Sequence, residues 1–449
     1  MKKHFSLAFA ALALAFSTTL FTGCASSTTE STVSPVAPAS LGWSGFGGPS
    51  GDFAVAGVAL PEQLICETVW KMPFGNGFGQ IAVVGDKAFA FVQRDDREIA
   101  ICFEAKTGKE LWQADIDKVM LDKAGGDGPR STPTIDGNRV YIYGTHMKLA
   151  CLDLATGKEL WSHPVHVDFG RRPMQWGNTV SPVVVDDVVI VTTNELNRNA
   201  KDNKHPTKGI VAYNKVTGEL AWSQDDARGT HATPTVATIL GKKQVICFMQ
   251  SGLVSVEPKT GEVLWAFEYT YNKTSVAASP VVGGKNGDIV YCSSGYQMGA
   301  AACRISKDGS TWVATQLWRT EKKNCNHWTT PVHRDGYIYG LMGQNGTPTS
   351  DNGELVCLDI ETGDTKWSKR PTGSQGGIIL VGDKLLISTP RGELLQVAAS
   401  PEAYKELGRQ KILNGKNWTA PTYVNGLVFM RNTTEGEATA EAACLKIGN

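Results

Sequence analysis

The chain has 449 residues, 41% of them hydrophobic, enough to bury a large core, and its 44 Lys and Arg balance 44 Asp and Glu. No basic stripe or acidic tail breaks that balance, so the positive face that nucleic-acid binding requires is missing and nucleic acid is not expected as a partner. Past the first 20 or so residues, no segment approaches the ~20 apolar residues of a membrane-spanning helix.

The N-terminus reads as an export leader. Lys2 and Lys3 supply the positive charge, and Phe5 to Phe16 is an apolar run of Ala, Leu and Phe too short for a comfortable span. Leu20-Phe21-Thr22-Gly23-Cys24 then resembles the bacterial lipobox, in which the Cys becomes lipid-modified and N-terminal. Residues 1–23 are therefore expected to be a lipoprotein signal peptide, with Cys24 the lipidated residue; a leader cut elsewhere, or an uncleaved anchor, is the alternative. Residues 24–42, rich in Ser, Thr and Pro, cannot bury a core and read as a flexible tether. The expected location is the cell envelope, on a membrane facing the periplasm or the outside.

From residue 43 onward the dominant feature is an internal repeat. Ala105-Lys106-Thr107-Gly108-Lys109-Glu110-Leu111-Trp112 recurs around Thr156-Gly157 with Trp161, Thr217-Gly218 with Trp222, Thr260-Gly261 with Trp265 and Thr362-Gly363 with Trp367. A looser copy runs from Asp308-Gly309 to Trp318, and the period of ~50 residues suits one four-stranded blade. The Gly supplies the positive φ of a tight turn, and the preceding Asp or Asn (Asp153, Asn214, Asp359) can bond its amides. A Trp on the returning strand, buried where blades meet, would hold neighbours together. Units also open alike, as in Ser131-Thr132-Pro133, Val180-Ser181-Pro182 and Thr329-Thr330-Pro331, and Pro suits a strand start because it cannot donate a ladder bond.

Counting openings gives eight units. The seventh runs into Ser400-Pro401-Glu402 where Thr-Gly-Trp is expected, and the eighth stops at Ala443-Cys444-Leu445-Lys446-Ile447 without its Trp strand. Residues 67–72, with Trp70, read as the missing strand, which would pair with the last blade and close the ring. The expected domain spans 43–449.

Of ten cysteines, Cys102, Cys151, Cys303, Cys357 and Cys444 fall at matching places in apolar strands, the pattern of buried small hydrophobes. A disulfide among Cys66, Cys292 and Cys325 is left open.

The Asp-x-x-Thr-Gly-x-x-x-Trp spacing and the Ser/Thr-Pro openings resemble the pyrroloquinoline-quinone (PQQ) type propeller repeat. That repeat occurs in quinoprotein alcohol dehydrogenases and, without the cofactor, in the outer-membrane β-barrel assembly lipoprotein of the BamB type. The lead-in from Trp43 to Asp52 is similar to that of many exported PQQ-like proteins. The resemblance implies an all-β, eight-bladed propeller of four-stranded blades; the motif is specific for shape, not for activity.

Quinoprotein chemistry implies an adjacent Cys-Cys pair, carboxylates and an Asn on Ca²⁺, and an Asp base. No Cys-Cys pair and no haem motif exists. Strand starts of a propeller gather at one channel mouth, which places Arg130, Trp176, His231, His327, Trp328 and Trp418 there as candidate ligand residues, with Thr179, Ala277, Asn326, Gln375 and Asn417 nearby. The reading favoured over a ligand site is that those Trp and Asn pack the funnel and cap backbone groups. Carboxylates near the mouth are few (Asp127, Asp225, Asp226), two isolated His do not make a metal site, and Phe74-Gly75-Asn76-Gly77-Phe78-Gly79 precedes no helix that would cradle phosphate. No catalytic residue and no metal ligand is assigned. The expected function is a non-enzymatic, membrane-tethered binding or scaffolding module for envelope proteins in outer-membrane protein assembly, without a cofactor, with the insertions at 195–209 and 343–353 as contact loops; the alternatives are a PQQ-dependent oxidoreductase or its relic and a sugar-binding propeller.

Overall fold

The computed structural model describes residues 42–122, 125–196, 208–224, 228–269, 276–343, 353–370, 373 and 375–448. The leader, Cys24, nearly all of the tether, Asp225, Asp226 and most of both insertions lie outside the described residues.

Each repeat builds one antiparallel sheet. In blade 2 the strands are Thr134–Asp136, Arg139–Tyr143, Lys148–Asp153 and Glu159–Pro164, paired in that order. Blade 1 spans 82–118, and blades 3 to 7 span 183–224, 235–268, 281–320, 332–369 and 377–411. Blade 8 takes three strands from 422–447 and its fourth, Cys66–Pro73, from the start of the domain, antiparallel to Glu441–Ile447 with Trp70 opposite Cys444. Among the described residues this makes an all-β propeller of eight blades. First strands of successive blades touch one another, so they line the central axis.

The repeated Thr-Gly has two physical causes. Gly108, Gly157, Gly218, Gly261 and Gly363 all adopt φ between 73° and 78°, where a side chain is strained. Each also lies beneath a ring from the preceding blade: a Cβ on Gly157 would come 2.6 Å from Trp112, on Gly261 2.5 Å from Trp222, and on Gly363 2.7 Å from Trp318. The Trp then donates its Nε1–H to that next blade, Trp112 to Leu154 O (3.0 Å), Trp222 to Pro258 O (2.9 Å) and Trp318 to Ile360 O (2.8 Å). Trp70 on the closing strand bonds Ala105 O at 2.9 Å, so blade 8 clasps blade 1 in the same way.

The departures from pattern have local reasons. In blade 7, Gly408 holds the Trp register opposite Gln396, and Leu64 fills the space; a Cβ there would meet the Leu64 side chain at 2.8 Å. Leu64 N–H bonds Leu407 O, and Gln396 bonds Pro61 O, so residues before the closing strand strap this blade. Trp265 of blade 4 turns into its own sheet and donates to Gln244 Oε1 at 2.7 Å; blade 5 offers it Asp308-Gly309 and no Thr-Gly turn.

The Ser/Thr before each Pro has a role that Pro alone does not explain. Thr132 Oγ1 accepts from Gln80 N–H, Ser181 Oγ from Thr132 N–H, Thr233 Oγ1 from Ser181 N–H and Thr330 Oγ1 from Ser279 N–H, at 2.9–3.0 Å. These hydroxyls strap blade to blade around the axis and satisfy amides that would otherwise be orphaned.

The lead-in plugs the channel. Trp43, fully buried, bridges Val83; Ser44 O accepts from Ile135 N–H; Gly47 N–H donates to Gln80 Oε1; and Ala54–Val55 pairs in parallel with Gly377–Val381. The loop thus touches blades 1, 2 and 7 from inside. The Gly-rich piece after it wraps a cation: Gly75, Gly79 and Phe91 carbonyls accept from the buried Arg431 guanidinium, which lies 5.0 Å over Phe74. Bulkier residues would keep that backbone from closing in on the guanidinium; a Cβ on Gly77 would sit 2.7 Å from it.

All nine described cysteines are free thiols, including Cys66, Cys292 and Cys325. Cys102, Cys151, Cys357 and Cys444 face the clamp residues Trp112, Trp161, Trp367 and Trp70 across the strands. Burial pushes these four thiols, and that of Cys303, up to about 12, so they pack and do not react.

Candidate functional site at the channel mouth

The strand starts converge as their register requires. Arg130, Trp176, His231, His327, Trp328 and Trp418 all line one cavity of about 350 Å³, with Thr179, Ala277 and Gln375 from other blades. Phe46 and Phe53 of the plug line it too, their rings 4.9 Å apart edge to face, as do Phe78 and Tyr296. Aromatic faces dominate the wall. Trp328 and Trp418 lie 4.4 Å apart at 36°, Phe78 sits 5.7 Å from Trp418, and His327 packs 4.3 Å from Trp328.

The polar groups divide into those with structural work and those without. Asn326 donates to Leu341 O and accepts from Tyr291 Oη, while Asn417 donates to Asn414 and Gly415 carbonyls; both cap backbone, and neither lines the cavity. Arg130 is held by Asp122 and by the carbonyls of Gly126 and Gly128 at 2.9–3.0 Å. Asp127 accepts from Asp122 N–H and so shapes that loop. By contrast, both ring nitrogens of His327, Nδ1 of His231 and Nε1 of Trp328 are buried without a hydrogen-bond partner.

Glu98 behind this wall carries no motif. It is fully buried in the second hairpin of blade 1 and accepts from Thr145 N–H and Oγ1 at 3.0 and 2.5 Å; burial pushes its carboxyl up to about 7.

Burial also pulls His231 down to about 4 and His327 to about 3, so both are neutral near pH 7. A histidine with a depressed folded value stabilises the fold above its unfolded value of ~6.5 and loses that contribution as pH falls through 6.5 toward the folded one. Acidification from pH 7 to 4 should therefore cost up to about 3 kcal/mol at His327 alone. His327→Phe is expected to flatten the melting temperature between pH 7 and 4 relative to wild type, and parallel curves would contradict it. Glu98 acts with opposite sign: protonation as pH falls from 7 toward 4.5 favours its burial.

A calcium-bound quinone needs carboxylates around its metal. No Asp or Glu lines the cavity, and among the described residues no three His, Cys, Asp or Glu gather as a metal site. The residues present do not fit that group.

Ring, plug and aromatic mouth together define a closed propeller of the PQQ-repeat class. A family model described as outer membrane protein assembly factor BamB matches residues 95–347, more than half of the chain, and the chain belongs to that family. It is 25% identical over 271 residues to the outer membrane protein assembly factor BamB of Shewanella oneidensis, a match covering 49% of this chain and 66% of that relative, just under two thirds. Among solved structures, BamB from Moraxella catarrhalis matches 86% of this chain and 98% of its own, with a TM-score of 0.57 and 16% identity. Quinohemoprotein alcohol dehydrogenase from Comamonas testosteroni matches 91% of this chain and 81% of its own, with a TM-score of 0.63 and 14% identity. At such identities these two likenesses speak for the fold alone.

Proposed function

We propose that this chain is a non-enzymatic binding propeller of the cell envelope, tethered to a membrane through Cys24, that holds partner proteins during outer-membrane protein assembly. The family match over residues 95–347 carries this reading. The mouth supports it: it is aromatic, no carboxylate lines it, its cation Arg130 is committed to Asp122, and among the described residues it holds no metal cage. Trp clamps at six of the eight blade junctions supply a rigid frame on which loops can be presented.

The competing oxidoreductase reading makes a distinct forecast. Purified chain mixed with PQQ and Ca²⁺ is expected to show neither stoichiometric cofactor absorbance nor alcohol-dependent dye reduction. Stoichiometric PQQ together with dye reduction would overturn the proposal.

A further inference from the structure

The outer strand of blade 5 departs from the other seven. Among the described residues each blade's fourth strand pairs on one side only, and a bulge beside the Trp register breaks its ladder. In the other blades one to three pairs precede that bulge. In blade 5 six do, from Thr311 opposite Asp308 to Gln316 opposite Cys303. Thr311–Thr320 is also the longest of the fourth strands, at 10 residues. From Thr311 to Trp318 it carries no charge, Pro or Gly, whereas the outer strands of blades 1, 6, 7 and 8 each carry two or more charges. Charges, bulges and Pro keep an open edge from pairing, and this edge lacks them over six residues. One face of the strand is anchored: Trp312 and Ala314 pack on the core shared by blades 4 and 5, and Lys307 Nζ lies 4.3 Å over Trp312. Thr311, Val313 and Thr315, on the other face, are exposed.

From these observations we infer that this edge is a docking site for an extended segment of a partner protein, which adds as a fifth strand along Thr311 to Gln316. The backbone groups of the edge supply the ladder, and the anchored face keeps the strand pre-formed, so little order is lost on docking. Charge then selects the segment. The centre of the edge is neutral, while Lys307, Arg319, Lys322 and Lys323 flank it against only Asp308 and Glu321, all six exposed. The matching segment is β-branched and uncharged in its middle, where it meets Val313, and acidic toward its ends. A second copy of this chain is the poorer occupant, because six paired residues fall well short of the ~1,200 Å² that a stable interface buries. The edge lies on the outer rim of the ring, away from the channel mouth. The inference deepens the scaffolding role and rests on it for which protein supplies the segment. Peptide binding reads the edge and envelope isolation reads the role, so either can fail alone.

The test is titration of the full mature chain, carrying Cys24→Ala, with a fluorescent peptide of alternating Val and Thr closed by Asp and Glu at its ends, read by anisotropy. Saturable binding of one peptide per chain is expected. N-methylating alternate peptide amides along one edge keeps every side chain but removes the ladder donors. That form should bind at least ~10-fold more weakly, while methylation along the other edge should change little. Lys in place of the acidic ends should weaken binding ~3- to 10-fold at low salt. Val313→Glu should weaken the acidic peptide by a similar ~3- to 10-fold at unchanged melting temperature, and Thr315→Glu supplies a second variant should the first melt early. No saturable binding, equal binding of the two N-methylated forms, or indifference to both substitutions would overturn the site. A concentration-dependent dimer of the chain alone, abolished by Val313→Glu, would overturn it in favour of a second copy.

Discussion

Trp161→Ala is expected to lower stability by about 3 kcal/mol, the low end of the range for emptying a buried aromatic site, because Trp161 is only partly buried. The Trp161 ring lies over Gly218 of the next blade, where a Cβ would come within 2.8 Å of it, and its neighbours Tyr141 and Tyr213 are 6.0 and 6.5 Å away. Its Nε1 has no hydrogen-bond partner, so the whole loss is one of packing. Trp222→Phe differs in kind: it keeps most of the apolar surface but forfeits the bond to Pro258 O, costing about 1 kcal/mol for the bond besides some lost packing. Chemical denaturation followed by both fluorescence and circular dichroism checks both. A wild-type midpoint for Trp161→Ala would mean that the clamps do not hold the ring.

The second large effect concerns the lead-in. Deleting residues 42–65 removes buried Trp43, Phe53 and Leu60 and strips partners from the Ile135, Leu380 and Gly382 amides. The expected loss is on the order of 10 kcal/mol, with the closing strand still present. Deleting residues 42–73 also exposes the edge of Glu441–Ile447 and removes Trp70 from blade 1. An open edge of that length seeks another chain, so this variant should run as oligomers on size exclusion while the shorter deletion stays monomeric and melts early. A monomeric, wild-type melt for the longer deletion would show that the ring does not depend on its closure.

Most of the fold was legible because its signals are local and repeated. A Thr-Gly turn needs positive φ wherever it occurs, so five copies with Trp in register fix the blade, and the recurring strand openings fix the count. The mouth was legible for the same reason: Arg130, His231, Trp328 and Trp418 share one offset from the strand start, and the ring geometry brings that offset to one cavity. The plug was not, because Trp43 to Val55 sits in the channel through backbone pairings with Val83, Ile135 and Leu380, and such long-range partners leave no periodicity. Nor was the loss of Trp in blade 7 interpretable as anything but decay until Leu64 appeared in its place against Gly408. Glu98 and Arg431 were silent for a different reason: single buried charges are recognised only by the backbone and hydroxyl groups that solvate them.

The central claim is that this propeller works by holding envelope proteins, and affinity isolation of the full-length chain from detergent-solubilised envelope of its own host tests it most directly. With the Cys24→Ala chain as the untethered control, the lipidated chain is expected to recover components of outer-membrane barrel assembly, identified by mass spectrometry, and the control to recover fewer. Recovery of none by either chain would contradict the account.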